Sequence, residues 1–531
     1  MIDQRAEAIL TRYAKLKGDR SVWEAHWRDV SKFVLPRKDH IAGEYQNRGE
    51  KKGVEIYDST AIHANELLAS ALHSMMSNPS TLFFGLSTGF DKLDQMNEVR
   101  KYFEECTNIM HNVLNNSNFQ TEVHEVYLDL GSIGTSTLRI EEDEANHIRF
   151  FAEPITEVTV DENNKGVVDV SFREFEWTLR QAVAEFGEKA FTEEQIRAYR
   201  VNPDDKITIV HAIVPYSSEE MKTNKGKLRG KKFASLYLDK AAKRTLQENG
   251  FKEFPTLVPR WTKISGELYG RSPAMKCLAD IKMLNSMKKT TIRSAQKQVD
   301  PPVQAPDDGM TLPLKLSPNA VNYYRAGTAG RIEPIQTGGR IDFGYQTIQD
   351  QRTAIREAFF IDQLQLNEGP QMTATEVQQR TEEKLRVLGP ILGRQHHEFL
   401  KPLVERIYNI LNRRGLLPEP PASLQKKRLQ IQYISMIARA QKAIDAQTVA
   451  RTMQSITGLV EANPDMLDNL DKDKILRHNA KLLGLPAEML VDESQVTKIR
   501  DARAQMQQQQ IKMQTDMANA DIPVKNKQAE A

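Results

Sequence analysis

Two segments of this sequence have the residue types of phosphate and metal sites. The basic segment 226–232 approaches a phosphate-binding loop, but it is one residue short and has lysine where a hydroxyl should bind magnesium. It is better interpreted as a solvated basic loop. His396-His397-Glu398 combines two imidazoles with a carboxylate, yet adjacent side chains diverge by about 100° on a helix, unlike the i, i+4 histidines of a metalloprotease. A packing or surface role is therefore favoured.

Acidic clusters offer a second kind of chemistry. Asp307-Asp308 and the segment 141–144 could hold Mg²⁺ for a nuclease, but without histidines or further acids at a recognisable spacing they are typical of solvated turns. The segment 131–134 lacks the third glycine of a dinucleotide fingerprint, which favours a turn between a helix and a strand. No serine or cysteine occupies a nucleophile elbow. The sequence thus predicts no catalytic, metal or cofactor site.

The most specific charge pattern lies on a predicted helix from Ser272-Pro273 to about Val299, with proline at its first position. Its basic residues stand against the single acid Asp280. A cationic helix can face phosphates, although a basic run is more often a solvated face. The basic residues are Lys276, Lys282, Lys288, Lys289, Arg293 and Lys297.

Composition limits the role of charge. The chain has 531 residues, 73 basic and 71 acidic, for a formal net charge of +2, so any contact with nucleic acid must be local. Cys106 and Cys277 are far apart, which argues against a disulfide framework and favours a reducing compartment. No apolar run approaches the roughly 20 residues of a spanning helix, and the N-terminus is polar. These features predict a soluble protein without a cleavable signal.

One long helix must position much of the chain. A capping box at 373–376 predicts its beginning, and apolar residues then recur every three or four positions to Ile410. Gly389-Pro390 interrupts the pattern, and because proline lacks the N–H that an interior helical position donates, a bend is expected there. Pro402 is a second weak point.

The remaining pattern predicts an α+β protein that is mainly helical. Helices are expected at 3–33, with a break at Gly18, and at 60–78, 94–114 and 344–361, and a small antiparallel sheet at 131–175 with further strands at 206–215 and 233–237. The segment 300–340, rich in proline and glycine, predicts loop with short strands. An irregular stretch at 363–372 precedes the long helix. Beyond the linker 418–421, helical segments are predicted at 424–459, 473–483 and 493–517, the last with a glutamine-rich tail.

Five short segments, in this order, resemble the head-to-tail connector, or portal, family of short-tailed bacteriophages. Each is weak alone, but the order of all five is specific, and the resemblance extends from the helix with Trp23 and Trp27 to Gly415. The segments are 56–60, 77–79, 268–273, 372–377 and 388–392.

The resemblance implies a ring, commonly of twelve subunits, at one capsid vertex. DNA would be pumped through it by a separate terminase during packaging and would leave through it at ejection. The implied portal fold has a wing (1–265), stem helices (266–299 and 341–362), a clip (300–340), a channel loop (363–373), a kinked wing helix (374–415) and a helical crown with a glutamine-rich tail (422–531).

The resemblance also implies roles for residues. The channel would be lined by Lys282, Lys288, Lys289, Arg293 and Lys297, with Gln363, Gln365, Asn367 and Gln371 in the channel loop and the helix kink at Gly389 and Pro390. The lysines could equally form salt bridges to neighbouring subunits, and the loop could be an ordinary exposed loop. A near-neutral chain suits a conduit, because strong phosphate neutralisation would stop DNA from sliding.

Implied partners are double-stranded DNA, terminase, major capsid and scaffolding proteins, and tail adaptor proteins, with internal core proteins as further candidates and no membrane. The implied location is the portal vertex of the virion, and the host cytoplasm during assembly. Two alternatives stay open: a metal-dependent nucleic-acid-processing enzyme that uses the acidic clusters, and a helical scaffolding protein without a pore.

Overall fold

The computed structural model describes most of the chain in two compact units, one formed by residues 1–81 and 113–410 and the other by residues 82–112 and 411–531. The described residues are 3–38, 53, 55–94, 96–217, 230–299, 303–304, 333–334, 341–364, 388–424, 430–433, 448–449, 451–452, 454, 471–483, 489–491 and 493–528.

Helices dominate these residues, and the strands pair antiparallel, which confirms the predicted α+β, mainly helical class. The α-helices are α1 (Gln4–Val34), α2 (Thr60–Met76), α3 (Asp91–Asp94), α4 (Asn97–Asn116), α5 (Phe119–Ser132), α6 (Leu179–Phe186), α7 (Glu193–Val201), α8 (Pro273–Lys276), α9 (Leu278–Val299), α10 (Ile341–Ala358), α11 (Ile361–Leu364), α12 (388–395), α13 (Lys401–Arg413), α14 (Lys472–Leu483) and α15 (Glu493–Gln528). The strands are β1 (Phe84–Ser87), β2 (Thr137–Asp143), β3 (His147–Glu153), β4 (Val158–Glu162), β5 (Val168–Thr178), β6 (Lys206–Pro215), β7 (Phe233–Asp239), β8 (Arg244–Phe251), β9 (Thr256–Leu257), β10 (Val303–Gln304), β11 (Glu333–Pro334) and β12 (Gln430–Tyr433).

The core of the first unit is built on a five-stranded antiparallel sheet in the order β4-β5-β6-β7-β8. Along β6, Val210 and Ala212 face α1 and pack with Tyr13, because alternate residues of a strand point to one face. Ile207 and Ile209 point to the other face, which α6 and α7 cover. The predicted strands at 206–215 and 233–237 are confirmed, and both faces of this sheet are buried.

The first helix is continuous, so the predicted break at Gly18 is wrong. Glycine costs about 1 kcal/mol in a helix, but buried anchors on both sides of it outweigh that cost. Tyr13 donates its hydroxyl to Glu174, and Arg20, 1% exposed, donates to the backbone carbonyls of residues 155, 156 and 158. These contacts between distant parts of the chain stabilise a continuous helix through Gly18.

Gly134 and Gly270 bring two backbone segments into direct contact. Gly134 has φ +85°, and a Cβ there would lie 2.5 Å from the Ser272 nitrogen. A Cβ on Gly270 would lie 2.4 Å from the Gly134 carbonyl oxygen. The hydroxyl of Ser272 donates to the Ser132 carbonyl at 2.6 Å and accepts from the Met275 N–H at 2.9 Å, which caps α8. The segment 268–273 therefore packs directly against the turn that was predicted at 131–134.

Gly134→Ala is expected to lower the free energy of unfolding by more than about 2 kcal/mol, because a left-handed backbone conformation and a backbone clash act together. Chemical denaturation measures the loss. Gly266→Ala is the matched control, since Gly266 has φ +89° with nothing within 4 Å of the added Cβ, and it should cost only the backbone strain, about 1 kcal/mol. Equal losses in the two variants would show that the close approach contributes nothing.

The second unit contains a strand that the sequence analysis missed. Residues 424–459 were predicted as helix, but Gln430–Tyr433 forms β12, which pairs antiparallel with β1 from Phe84↔Tyr433 to Ser87↔Gln430. That prediction is wrong for these four residues, because their partner strand lies more than 300 residues away in sequence. Arg500 of α15 donates to the carboxylate of Asp473 of α14 through Nη1 at 2.6 Å and through Nη2 at 2.7 Å. Among the described helices, none combines the length and apolar character needed to cross a bilayer.

Candidate functional site: the basic helix pair

The predicted basic helix is two helices, so the prediction of a single helix from 273 to 299 is wrong in detail. Cys277 (φ −104°, ψ 18°) separates α8 from α9. Its N–H still donates to the Pro273 carbonyl at 3.2 Å, and its carbonyl accepts from the Ile281 N–H at 3.0 Å, so the helical dihedral angles are interrupted there while the hydrogen bonding continues. This interruption separates the capped turn at Ser272 from the part of the helix that carries most of the basic residues.

The second of these helices, α9, packs against α10, the helix that follows the segment 300–340. Ile281 and Leu284 of α9 are buried, as are Ile348 and Ile355 of α10. Further along the pair Thr291 faces Gly344, where an added Cβ would lie 3.5 Å from the threonine hydroxyl. Phe359, which follows the end of α10, is also fully buried and extends this buried face.

The segment 55–58 holds both helices of this pair. The N–H of Tyr57 donates to Asn285 Oδ1 at 2.7 Å, and Asn285 Nδ2 donates to the Glu55 carbonyl at 2.9 Å. On α10, Arg352 donates to Asp58 Oδ2 through Nη2 at 2.6 Å and Nε at 3.1 Å. These bonds attach both helices of the pair to one short segment.

The carboxylate of Asp58 is the buried centre of that contact, with 2% of its side chain exposed. Burial alone would raise the pKa of Asp58, but hydrogen bonds from Thr60 and Arg352 outweigh burial and hold the pKa below its usual range. Asp58 also accepts from the N–H of Thr60 at 3.0 Å at the beginning of α2. The Asp58 carboxylate therefore joins the beginning of α2 to the side of α10.

Three of the five predicted channel residues have contacts inside the chain. Lys282 Nζ lies 2.7 Å from Asp29 Oδ2, Lys288 lies over the ring of Tyr345 and Lys289 over the ring of Tyr57. The other two, Arg293 and Lys297, are exposed, and neither forms an ion pair with any part of the chain that the structure describes. Whether these five line a channel stays a prediction.

The predicted channel loop is described only at its beginning. Gln363 lies in the short helix α11, after Phe360 with φ +61°, so the irregular stretch does not begin at 363. Gln365, Asn367 and Gln371 lie outside the described residues, as does the predicted capping box at 373–376. Of the predicted clip, β10 and β11 are described and pair antiparallel, as the expectation of short strands requires.

The predicted kinked helix is irregular near Pro402. Gly389 and Pro390 lie in α12, and because residues 374–387 lie outside the described part, a bend at Gly389-Pro390 stays a prediction. Residues His396–Leu400 form a π-helical turn, in which the Lys401 N–H donates to the His396 carbonyl. Pro402 has no N–H to give to the Glu398 carbonyl, and the wider turn accommodates its ring. Pro402, predicted as the second weak point of the helix, thus lies next to the turn at which the described helix departs from α geometry.

Sequence reasoning missed the buried arginine that fixes this π-helical turn. Arg260 is 3% exposed and donates through Nη2 to Glu398 Oε1 at 2.9 Å and through Nη1 to Glu162 Oε2 at 3.0 Å. Its carbonyl accepts from Gln395 Nε2 at 2.8 Å. The packing role predicted for the 396–398 segment is therefore correct for Glu398. The sequence signal that could have predicted this buried arginine was its position inside the otherwise apolar segment 257–261.

The acidic cluster at 141–144 is part of β2 and its turn, and Glu141 pairs with Arg139. Asp307-Asp308 and most of the segment 226–232 lie outside the described residues. Across the residues that the structure does describe, no group of three histidine, cysteine or acidic side chains is arranged to hold a metal ion.

Comparisons with a family model and with individual proteins point to the same kind of protein. The family model described as "Bacteriophage head to tail connecting protein" matches residues 6–490. The chain is 32% identical over 510 residues to the "Probable portal protein" of Bordetella phage BPP-1, covering 94% of this chain and 91% of that protein. It is 31% identical over 517 residues to the "Portal protein" of Salmonella phage epsilon15, covering 96% and 93%. A solved chain from the "Neck of empty GTA particle computed with C6 symmetry" aligns with TM-score 0.36 and 10% identity over 83% of this chain and 99% of that one, too distant a likeness to add an argument.

Proposed function

This chain belongs to the family of bacteriophage head to tail connecting proteins, and we propose that its copies form a ring-shaped conduit for double-stranded DNA at one vertex of the capsid. The observation that supports the proposal is the extent of the alignment between this chain and the two phage portal proteins. More than nine-tenths of this chain aligns with more than nine-tenths of each of them, so the likeness extends to whole proteins. The chain is a structural protein and not an enzyme.

The parts of the chain would divide the work. We assign α9 and α10 to the stem (266–299 and 341–362), the segment 300–340 to a clip that docks terminase and afterwards tail adaptor proteins, and residues 363–373 to a channel loop. The wing (1–265 and 374–415) would contact major capsid and scaffolding proteins. The crown (422–531) would face the capsid interior and any internal core proteins. Twelve copies would form the ring, which assembles in the host cytoplasm and remains in the virion.

A conduit must hold DNA weakly, and the charges of the helix pair fit that requirement. A protein that neutralises many phosphates binds DNA with an affinity that falls steeply with salt, and each such contact would slow sliding. In the described part of α9, Lys282 is paired with Asp29, and Lys288 and Lys289 lie over tyrosine rings. Arg293 and Lys297 are exposed and have no ion pair among the described residues. Few free cations per subunit would leave the duplex mobile.

Negative-stain microscopy and native mass spectrometry of the purified full chain test this proposal together. Closed rings with a central hole, of one subunit number, are the expected result. Monomers that cleave DNA in the presence of Mg²⁺ would instead favour a nucleic-acid-processing enzyme. Filaments or particles without a hole would favour a scaffolding protein.

A further inference from the structure

The outer faces of α9 and α10 carry opposite charges. Arg293 follows the buried Leu284 by nine positions, which is roughly two and a half helical turns, so it lies on the side of α9 opposite that buried contact. Lys297 lies one turn further on the same side. On α10, Glu357 also follows a buried residue, Ile348, by nine positions, so it lies on the side of α10 opposite Ile348. Asp350 lies on the same side as Glu357. We call these the basic face (Arg293 and Lys297) and the acidic face (Asp350 and Glu357).

All four side chains are free to bind elsewhere. Each is exposed, and within the described residues none of them forms an ion pair. The neighbouring charges are already used, since Lys282 binds Asp29, Arg352 binds Asp58 and Arg356 lies 3.6 Å from Asp362. On the two outer faces, the charges without a described ion pair are thus sorted by sign, with cations on α9 and anions on α10.

We propose that the basic face of α9 binds the acidic face of α10 on the adjacent copy of this chain. The proposal rests on the ring assembly proposed above, and it assigns the two free cations to the neighbouring subunit rather than to DNA. A ring needs two different surfaces that fit each other head to tail, whereas a two-fold dimer brings the same patch of both copies together. A two-fold contact through either face would juxtapose like charges, so the sorting by sign favours ring closure over pairing.

Charge reversal on each face tests the contact. Arg293→Glu with Lys297→Glu makes both outer faces acidic, and Asp350→Lys with Glu357→Lys makes both basic. Each double variant alone should raise the protein concentration needed for half-maximal ring formation by about tenfold or more, because every interface then opposes like charges. Native mass spectrometry and mass photometry of the full-length protein measure the ring fraction.

Mixing the two double variants in equal amounts is the decisive arm. Every interface then has one acidic and one basic face if the variants alternate, so rings of alternating composition should recover to near the wild-type fraction. Isotope labelling of one variant makes their masses differ clearly, and native mass spectrometry then reads whether the rings contain the two variants in equal numbers, as alternation requires. Lys189→Glu with Arg200→Glu, an equal charge change at two exposed positions of the wing, is the matched control and should leave ring formation unchanged.

The outcomes separate this inference from the proposed function. If the wild-type chain forms no ring, the proposed function and this inference both fail. If wild type forms rings and both reversed variants form them equally well, or if the mixture recovers none, only the inference fails. Arg293→Gln with Lys297→Gln adds a further arm: rings as stable as those of wild type, with DNA retention alone altered, would assign the cations to DNA phosphates and overturn the subunit contact.

Discussion

Arg260→Met is expected to destabilise the protein by about 3–5 kcal/mol, the usual cost of removing one partner from a buried ion pair. The methionine roughly fills the space of the arginine stem, but Glu398, with 18% of its side chain exposed, then keeps only Arg394 as a cationic partner, and Glu162 keeps only Lys263. The carbonyls of residues 166 and 268 lose their donor as well. The loss should be largest around the π-helical turn, because Glu398 lies within it. Chemical denaturation gives the total loss, and amide hydrogen exchange shows where the structure opens.

A matched control shows whether burial is the cause. Arg12 pairs with Asp161 at 2.8 Å, but half of the Arg12 side chain is exposed, at 49%, so Arg12→Met should cost less than about 1 kcal/mol. The double variant Arg260→Met with Glu398→Met removes both charges of one pair and should recover part of the loss. Equal effects for Arg260 and Arg12, or no recovery in the double variant, would contradict the buried ion pair as the cause.

The same contact predicts a change in the pH dependence of stability. Burial alone would raise the pKa of Glu162, but hydrogen bonds from Lys263 and Arg260 outweigh it and lower the pKa below the usual range. A carboxylate with a lowered folded pKa stabilises the protein above its unfolded pKa, and that contribution is lost as the pH falls through the folded value. Stability of the wild-type protein should therefore fall between about pH 5 and pH 3, and Arg260→Met should flatten that fall.

Arg352→Met is expected to cost about 3 kcal/mol, because it leaves the buried carboxylate of Asp58 without its cation. The remaining hydrogen bonds from Thr60 offset only part of that cost. Since Arg352 lies on α10 and Asp58 precedes α2, amide exchange should increase at both places. Thermal and chemical unfolding, with exchange read by mass spectrometry, measure the effect.

The same helix offers the control for this prediction. Arg356 lies one turn further along α10, and its partner Asp362 is 3.6 Å away with both side chains nearly half exposed, at 46% and 45%. Arg356→Met should change the free energy of unfolding by less than about 1 kcal/mol. If Arg352→Met costs no more than Arg356→Met, the segment 55–58 is not held by this ion pair.

Much of the fold follows from local patterns in the sequence. The helices that cover 60–76 and 97–116 and the strands at 206–215 and 233–239 were predictable because a single face or alternating residues are apolar over each segment. The cap at Ser272 was predictable because serine before proline marks the beginning of a helix. Short-range physics therefore gives the element types and most of their bounds.

Three helices were not predicted, α5, α6 and α7, although capping boxes at Thr178 and Thr192 mark the beginnings of α6 and α7 as local signals. The missed contacts, in contrast, depend on residues that are distant in sequence. Glu398 follows Arg260 by 138 positions, and no local pattern connects an arginine in an apolar segment to a glutamate on a helix. The continuity of α1 at Gly18 likewise depends on contacts of Arg20 with residues 155–158. For the candidate site, spacing predicted that α9 carries the cations, but only the structure distinguishes Lys282, held by Asp29, from the free Arg293 and Lys297.

The segment 55–58 also bears on how the helix pair would carry mechanical load in the proposed stem. A pull along α9 would reach this segment through Asn285, and a pull along α10 would reach it through Arg352. Because both helices are bonded to the same segment, they would share an axial load. In a ring that conducts DNA, drag from the moving duplex would consequently be transmitted to the beginning of α2.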